Sequence, residues 1–307
     1  MRTLRFHSYG SALDVLRVDE TEPPRPGPGQ IRVRVQACGL TPADWALCGG
    51  LFGGDLPRGI GLEVSGTVDG LGDGVTGVKV GDPVIAPVPF TGPTAGASEL
   101  VVVDFWTPRP AGLDPVRAAA LPMAVETAYR GLDELGIHEG ATVLVHGTGS
   151  AVGYAAAQIA LRRGARVITT AGETYADALR EVGAEVTSHG EGMAERVTAL
   201  AGGPVDPALD TALAKGAASA LGSSTKASEQ VLRLTGFARA GKPGARVGSA
   251  GGMDALRYDV LGEYAQLAAD GLFSVPVARH FPLEDWRTAA ELSLSGRACG
   301  KLVLRFD

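Results

Sequence analysis

The chain has 307 residues, of which 45% are hydrophobic and 20% charged, and its formal charge is −6. That length supports two ordinary domains, and a negative balance with no basic run argues against binding nucleic acid or an anionic membrane. Three cysteines, Cys38, Cys48 and Cys299, are too few and too uneven for a disulfide framework, and no uninterrupted apolar run of about 18 residues occurs. The opening MRTLRFHSYG has no apolar leader core, so a cytoplasmic protein is expected.

Residues 1–113 read as β-rich. QIRVRVQACGL alternates as a half-buried strand does, and LEVSGTVDGLGDGVTGVKVGDPVIAPV is a series of β-branched runs broken by Gly-Asp turns. Between them, EPPRPGPGQ reads as a surface loop or a linker. Helical patterning begins at DPVRAAALPMAVETAYRGLDELG, with Pro115 suited to a first helical position. Strand and helix then alternate to about residue 251, the pattern of a parallel α/β sheet. The tail from 271 returns to strands, FSVPVARHF and GKLVLRFD. The expected layout is a β-rich domain (1–113, with 271–307 returning to it) and an inserted dinucleotide-type domain (114–270).

Within that insert, VLVHGTGSAVGYAAAQIALRRGARVITTAG (143–172) reads as strand, glycine turn, helix, strand. Gly147, Gly149, Ser150 and Gly153 lie between a strand at 141–145 and a helix at 151–163. In such a turn the backbone amides, including those of Ala151 and Val152, face a pyrophosphate, and Gly153 suits close helix–strand packing. Ser150 stands where close phosphate approach favours glycine, and its hydroxyl could donate to a phosphate oxygen. The alternative is a plain glycine-rich turn. An acid ending the second strand would bind both ribose hydroxyls of NAD, but residues 165–172, ending in Ala171 and Gly172, offer none. That favours NADPH, although no Lys or Arg stands nearby in sequence and Glu173 could serve NADH. HGTGS is not the G-x-S-x-G elbow of a hydrolase.

Five segments together resemble one family: PGPGQIRVRVQACGLTPADW, GLEVSGTVDGLGDGVTGVKVGDPV, AAALPMAVETAYRGL, VLVHGTGSAVGYAAAQIA and SGRACGKLVL. Their order and spacing resemble the medium-chain dehydrogenase/reductase superfamily, in its zinc-independent quinone oxidoreductase branch. The resemblance implies an α/β protein with a GroES-like β-rich catalytic domain and a Rossmann domain with a doubly wound parallel sheet. It also implies an interdomain pocket near Thr41, Trp45, Phe52 and Thr127, and a homodimer joined along a sheet edge. Zinc-dependent relatives carry Cys-His where this chain has Thr41 and Pro42, and Gly-His-Glu where it has Gly61, Leu62 and Glu63. Threonyl and leucyl side chains do not replace thiolate and imidazole as ligands, so no metal is expected. The implied reaction is hydride transfer from NADPH to a small-molecule quinone or enone; the alternatives are an NADPH-binding protein without turnover and, against the lost zinc ligands, ketone reduction.

Thr41 takes the place of an Asn facing the nicotinamide, or is a turn residue before proline, and Asp44 is expected to order its loop. Trp45 and Phe52 are pocket walls or core; Phe52 replaces a Tyr of some relatives and has no proton to give. Thr127 packs the nicotinamide half or bonds back to its own helix, with Glu126 capping or solvated beside it. By resemblance Lys301 lies close to the cofactor phosphates, and otherwise is a surface lysine at a strand end. His189 stands where NADPH-using relatives have a Tyr near the 2′-phosphate, and Ala250 and Gly251 are placed at the cofactor. His146 reads as a satisfied strand-end residue, and His7, His138 and His280 as surface or structural. The segment 213–244 is long for the family: a lid, or a tolerated insertion, from which Lys226 or Arg239 could reach a phosphate.

Overall fold

The computed structural model describes residues 1–205, 207–212, 221, 224–225, 231–234, 246–247 and 256–306. Contacts divide the chain into two units, Met1–Met123 with Tyr258–Asp307, and Ala124–Arg257. Composition changes near Asp114 because helices begin there; the contact division falls later, within the helix Pro122–Glu134.

In chain order the first unit contains β1 (Arg2–Phe6), β2 (Leu16–Glu20), β3 (Ile31–Leu40), β4 (Arg58–Gly59), β5 (Glu63–Leu71), β6 (Pro83–Pro87), β7 (Leu100–Val103) and β8 (Thr107–Pro108). The second contains β9 (Thr142–His146), β10 (Arg166–Thr170), β11 (Glu185–Thr187), β12 (Ala208–Asp210), β13 (Val231–Arg233) and β14 (Arg246–Val247). The chain then returns to the first unit as β15 (Val277–Pro282) and β16 (Lys301–Arg305). The helices used below are α1 (Pro42–Cys48), α2 (Pro115–Ala119), α3 (Pro122–Glu134), α4 (Ala151–Arg162), α5 (Glu173–Glu181) and α6 (Met193–Ala201).

In the first unit a three-stranded sheet runs β2-β1-β4, and a seven-stranded sheet runs β15-β16-β3-β5-β6-β8 with β7 also on β3. The alternation read at residues 31–35 is real: Ile31, Val33 and Val35 are buried and enter the core with Val64, Val101 and Leu304, while Arg34 faces solvent. Pro115 does open α2, whose N-cap Asp114 accepts bonds from the Val116 and Arg117 amides.

The second unit is a parallel sheet in the order β11-β10-β9-β12-β13-β14. This is the doubly wound order, which reverses at β9. Val143, Leu144 and Val145 are fully buried, as a strand covered on both faces requires. Leu144 packs with Ile168, Met193, Val197 and Ala208. No helix among the described residues is long and apolar enough to cross a membrane.

Candidate functional site

The glycine turn joins β9 to α4. Gly147 has φ +86°, and a Cβ there would lie 2.7 Å from the Ala212 nitrogen. A Cβ on Gly153 would lie 2.4 Å from Thr211 Oγ1 and 2.7 Å from the Gly147 carbonyl. Both positions therefore exclude side chains, one by conformation as well. Gly149 differs, since its Cβ would meet nothing within 4 Å. The surface above it is open to a bulky group.

Ser150 departs from its expected role as a phosphate donor. It caps α4, accepting the Gly153 N–H at 3.0 Å, and donates its own hydrogen to Thr211 Oγ1 at 3.1 Å. Thr211 in turn donates to the His146 carbonyl at 2.8 Å. The serine hydrogen is thus engaged within the turn. The amides of Gly149, Ala151 and Val152 make no hydrogen bond to any described residue. Three donors at the positive end of a 12-residue helix form a ready anion site.

His146 ends β9 and is 5% exposed. Its Nδ1 lies 2.7 Å from Thr170 Oγ1, which also accepts the Gly147 N–H. The Thr170 hydroxyl, which accepts the Gly147 N–H, also hydrogen-bonds Nδ1, so His146 is a satisfied strand-end residue. Burial lowers its proton affinity, Asp210 opposes this, and His189 and Arg233 add to it. His189 is itself exposed.

At the end of β10, Ala171 is buried with its amide on the Thr187 carbonyl, while Gly172 and Glu173 are exposed at the start of α5. No cation is close in sequence, but α6 brings one in space. Arg196 donates through Nε to Thr187 Oγ1 at 3.2 Å, through Nη1 to the Glu191 carbonyl at 2.8 Å and through Nη2 to the Ser188 carbonyl at 3.0 Å. It pairs with no carboxylate among the described residues, and Thr187 is the parallel partner of Thr170. Sequence reasoning missed Arg196 because only the β11–α6 fold returns it to the strand ends.

Thr127, on α3, donates to Glu126 Oε2 at 3.2 Å instead of bonding back to its helix. Glu126 is not solvated as expected: its side chain is 3% exposed and pairs with Arg130 at 2.6 Å. Ala250, Gly251, Lys226 and Arg239 lie outside the described residues, as does most of 213–244.

In the first unit Thr41 caps α1, with Pro42 at its start. Asp44, fully buried, accepts the Thr41 amide at 2.6 Å, the Thr41 hydroxyl at 3.0 Å and the Gly61 amide at 2.7 Å. It ties two loops together, the ordering role expected of it. Burial pushes its carboxyl up from 3.8 to about 6, against the pull of those donors. A carboxyl raised in the folded state holds its proton more tightly there than when unfolded. Its contribution to stability is therefore full below pH 3.8 and is lost as pH rises through about 6, a change of about 3 kcal/mol. Asp44→Asn is expected to be less stable at every pH, because one of two backbone donors then faces an NH2. Urea titrations at pH 4 and 7.5 should show its deficit against the parent shrinking by about 2.4 kcal/mol, since the unfolded carboxyl is already partly ionised at pH 4; a constant deficit refutes the linkage.

Trp45 is core: it is 7% exposed, and its Nε1 donates to Ser293 Oγ at 2.7 Å. Phe52 is the reverse, 49% exposed with φ +51°. Lys301 is neither a surface lysine nor an exposed phosphate contact. Its side chain is 4% exposed and its ammonium lies 2.6 Å from Glu63 Oε1, whose other oxygen accepts the Met123 amide at 2.8 Å. Burial in β16 pairs the cation internally.

Residues 27–104 match the alcohol dehydrogenase GroES-like domain, and residues 135–304 match the zinc-binding dehydrogenase family. The chain belongs to the medium-chain dehydrogenase/reductase superfamily. Its two units are accordingly the GroES-like and Rossmann-type parts of that superfamily. A probable oxidoreductase from Mycobacterium abscessus is 30% identical with a TM-score of 0.80, over 100% of this chain and 99% of that one. The quinone oxidoreductase of Coxiella burnetii is 26% identical with a TM-score of 0.78, over 100% and 99%. The mycocerosic acid synthase-like polyketide synthase of Mycobacterium tuberculosis is 31% identical over 91% of this chain. The chain spans 14% of that protein's length.

The donor set of this dehydrogenase/reductase does not fit zinc, despite the family's description. The Thr41 hydroxyl is engaged with Asp44, Leu62 has no donor, and Glu63 is held by Lys301 and the Met123 amide. Burial raises the Cys38 thiol well above its usual range, away from the thiolate a metal needs. No group of three or more metal-binding side chains is placed together among the described residues.

Proposed function

We propose that the chain is an NADPH-dependent oxidoreductase that reduces a quinone or an α,β-unsaturated carbonyl without zinc. The observation that carries this reading is that the amides of Gly149, Ala151 and Val152 have no partner among the described residues, beside the open space at Gly149. These residues fit a dinucleotide's diphosphate, with Gly149, Ala151 and Val152 donating and Ser150 shaping the turn. The nicotinamide, when bound, supplies a hydride for an electrophilic carbon. His189 and Arg196 are assigned to the adenosine 2′-phosphate, the anion that distinguishes NADPH from NADH. Thr41 has its hydrogen engaged by Asp44, which leaves its oxygen oriented as an acceptor, suited to a carboxamide N–H. The oxygen of the reduced acceptor takes its proton from water, since Phe52 has none to offer. The quinone oxidoreductase among the structural neighbours and the polyketide synthase relative support this acceptor class.

Purified protein should lose NADPH absorbance on adding 1,4-naphthoquinone or an enone, and more slowly with NADH. Arg196→Met is expected to raise the NADPH KM about tenfold and leave the NADH KM unchanged, since one charge-assisted contact is worth about 1.5–3 kcal/mol. Equal effects on both nucleotides would remove Arg196 from the phosphate. A second reading, nucleotide binding without turnover, draws on Phe52 and the engaged Thr41 hydrogen. Tight NADPH binding with no acceptor-dependent oxidation across a broad panel would favour it.

A further inference from the structure

We propose that the first unit carries a binding site for a small carboxylate with an apolar body, in the cleft between α2, β15 and the end of β16. The cleft measures about 460 Å³, within the range of small-molecule sites, about 300–1,000 Å³. It lies wholly within that unit and takes no residue from the glycine turn. Two bulges shape its walls. Gln36 is the extra residue of β3, where Val35 faces Gly66 and Ala37 faces Ser65. Ala278 is the extra residue of β15, where Val277 faces Lys301 and Arg279 faces Leu302. A bulge turns side chains out of the ordinary alternation, and the lining residues Gln36 and His280 stand at one bulge and just beyond the other.

The polar part of the lining is rich in donors. Arg109 donates through Nη1 to Gln36 Oε1 at 2.9 Å and to Ser65 Oγ at 3.1 Å. With its oxygen so engaged, Gln36 offers its NH2, which has no partner among the described residues. The exposed His280 ring has none there either, and the Arg305 guanidinium completes the set. Arg109, behind Gln36, adds a second cation and pairs with no carboxylate among the described residues. Asp114 is the one acid in the lining, and α2 answers its charge. Its Oδ1 accepts the Val116 and Arg117 amides at 3.0 Å each, and its Oδ2 lies 4.0 Å from Arg117 Nε. Pro115, Val116 and Phe306 supply apolar surface, and the Phe306 amide is held on the Gln36 carbonyl at 3.1 Å. Donors beside apolar surface suit a planar carboxylate on a hydrocarbon body. A phosphate would leave charged oxygens unpaired against Pro115 and Val116.

The test is benzoate binding to the whole chain, by ligand-observed NMR and thermal melting, with benzamide and inorganic phosphate as comparisons. Benzoate is expected to bind with a Kd of about 1 mM and, at about 10 mM, to raise the melting temperature by about 3 °C. Benzamide keeps the ring without the charge, and phosphate the charge without the ring; each should bind at least about tenfold more weakly. Gln36→Glu keeps an acceptor for Arg109 and puts a charged oxygen where the NH2 stood, so it should weaken benzoate about tenfold or more. Arg305→Gln should weaken it about fivefold. Both variants should leave the ligand-free melt within about 2 °C of the parent. Saturating NADPH should leave the benzoate Kd within about twofold, because the glycine turn supplies none of the lining. No binding to the parent, equal binding of benzamide or phosphate, no change in either variant, or displacement of benzoate by NADPH would overturn the site. If the parent binds no NADPH, the functional reading fails, and the titration without nucleotide still decides the cleft.

Discussion

Gly153→Ala is expected to destabilise the Rossmann-type unit by about 3 kcal/mol and to weaken NADPH binding about tenfold. The added methyl would sit 2.4 Å from Thr211 Oγ1 and 2.7 Å from the Gly147 carbonyl. The first neighbour anchors the turn through His146 and Ser150, and the second is backbone, so neither can retreat cheaply. Relief by moving α4 would displace the unpartnered amides of Ala151 and Val152. Adding Thr211→Ala removes the closer contact but leaves the carbonyl, so it should recover only part of the loss. Urea titration followed by a far-UV signal, with NADPH titration by fluorescence, measures both effects. A Gly153→Ala protein within about 0.5 kcal/mol of the parent would show that the turn yields.

Lys301→Met is expected to cost about 3–5 kcal/mol, because it strands a carboxylate in the core of the GroES-like unit. The Glu63 side chain is 0% exposed and keeps only the Met123 amide once the ammonium is gone. Glu63→Gln alone should cost a similar amount by stranding the ammonium. The double variant keeps an acceptor for Met123 and removes both charges, so it should lie close to the parent. A double-mutant cycle gives the coupling. If the two single losses simply add, the pair is not a mutually dependent unit. Lys301→Met should leave the NADPH KM within about twofold of the parent among molecules that fold, since the ammonium is held inward.

What the sequence revealed about this protein depended on the range of the interaction. The Pro115 helix start is set by its immediate neighbours, and local patterning is enough to read it; the packing role of Gly153 was legible from its place in the turn although its contact is with the distant Thr211, and the capping role of Ser150 was not read. The parallel sheet was legible because each strand–helix repeat carries its own hydrophobic period. Lys301 and Glu63 are 238 positions apart, so nothing near either residue signals a buried pair. Arg196 is held by residues 187, 188 and 191, but its position beside the end of β10 needs the sheet. Phe52 was read by residue type, which weighs a phenylalanine toward core or pocket wall. The glycines at 49, 50, 53 and 54 were the available hint that this stretch turns outward. Of the named site residues, Ser150, Trp45 and Lys301 turn out to have their polar atoms satisfied internally.

The pairing of β16 with β3 bears on how the polypeptide emerges from a ribosome. Residues 37–40 of β3 meet residues 302–305 across that ladder. At about 5–20 residues per second, tens of seconds separate the synthesis of the two strands. The Rossmann-type unit, contiguous in the chain, can mature in that interval. The apolar rim at Ala37 and Cys38 stays uncovered until the last strand arrives, an open edge of the kind that recruits foreign strands. A holding chaperone that covers this rim during the window should raise the yield of soluble protein, and slower translation, which prolongs the exposure, should lower it.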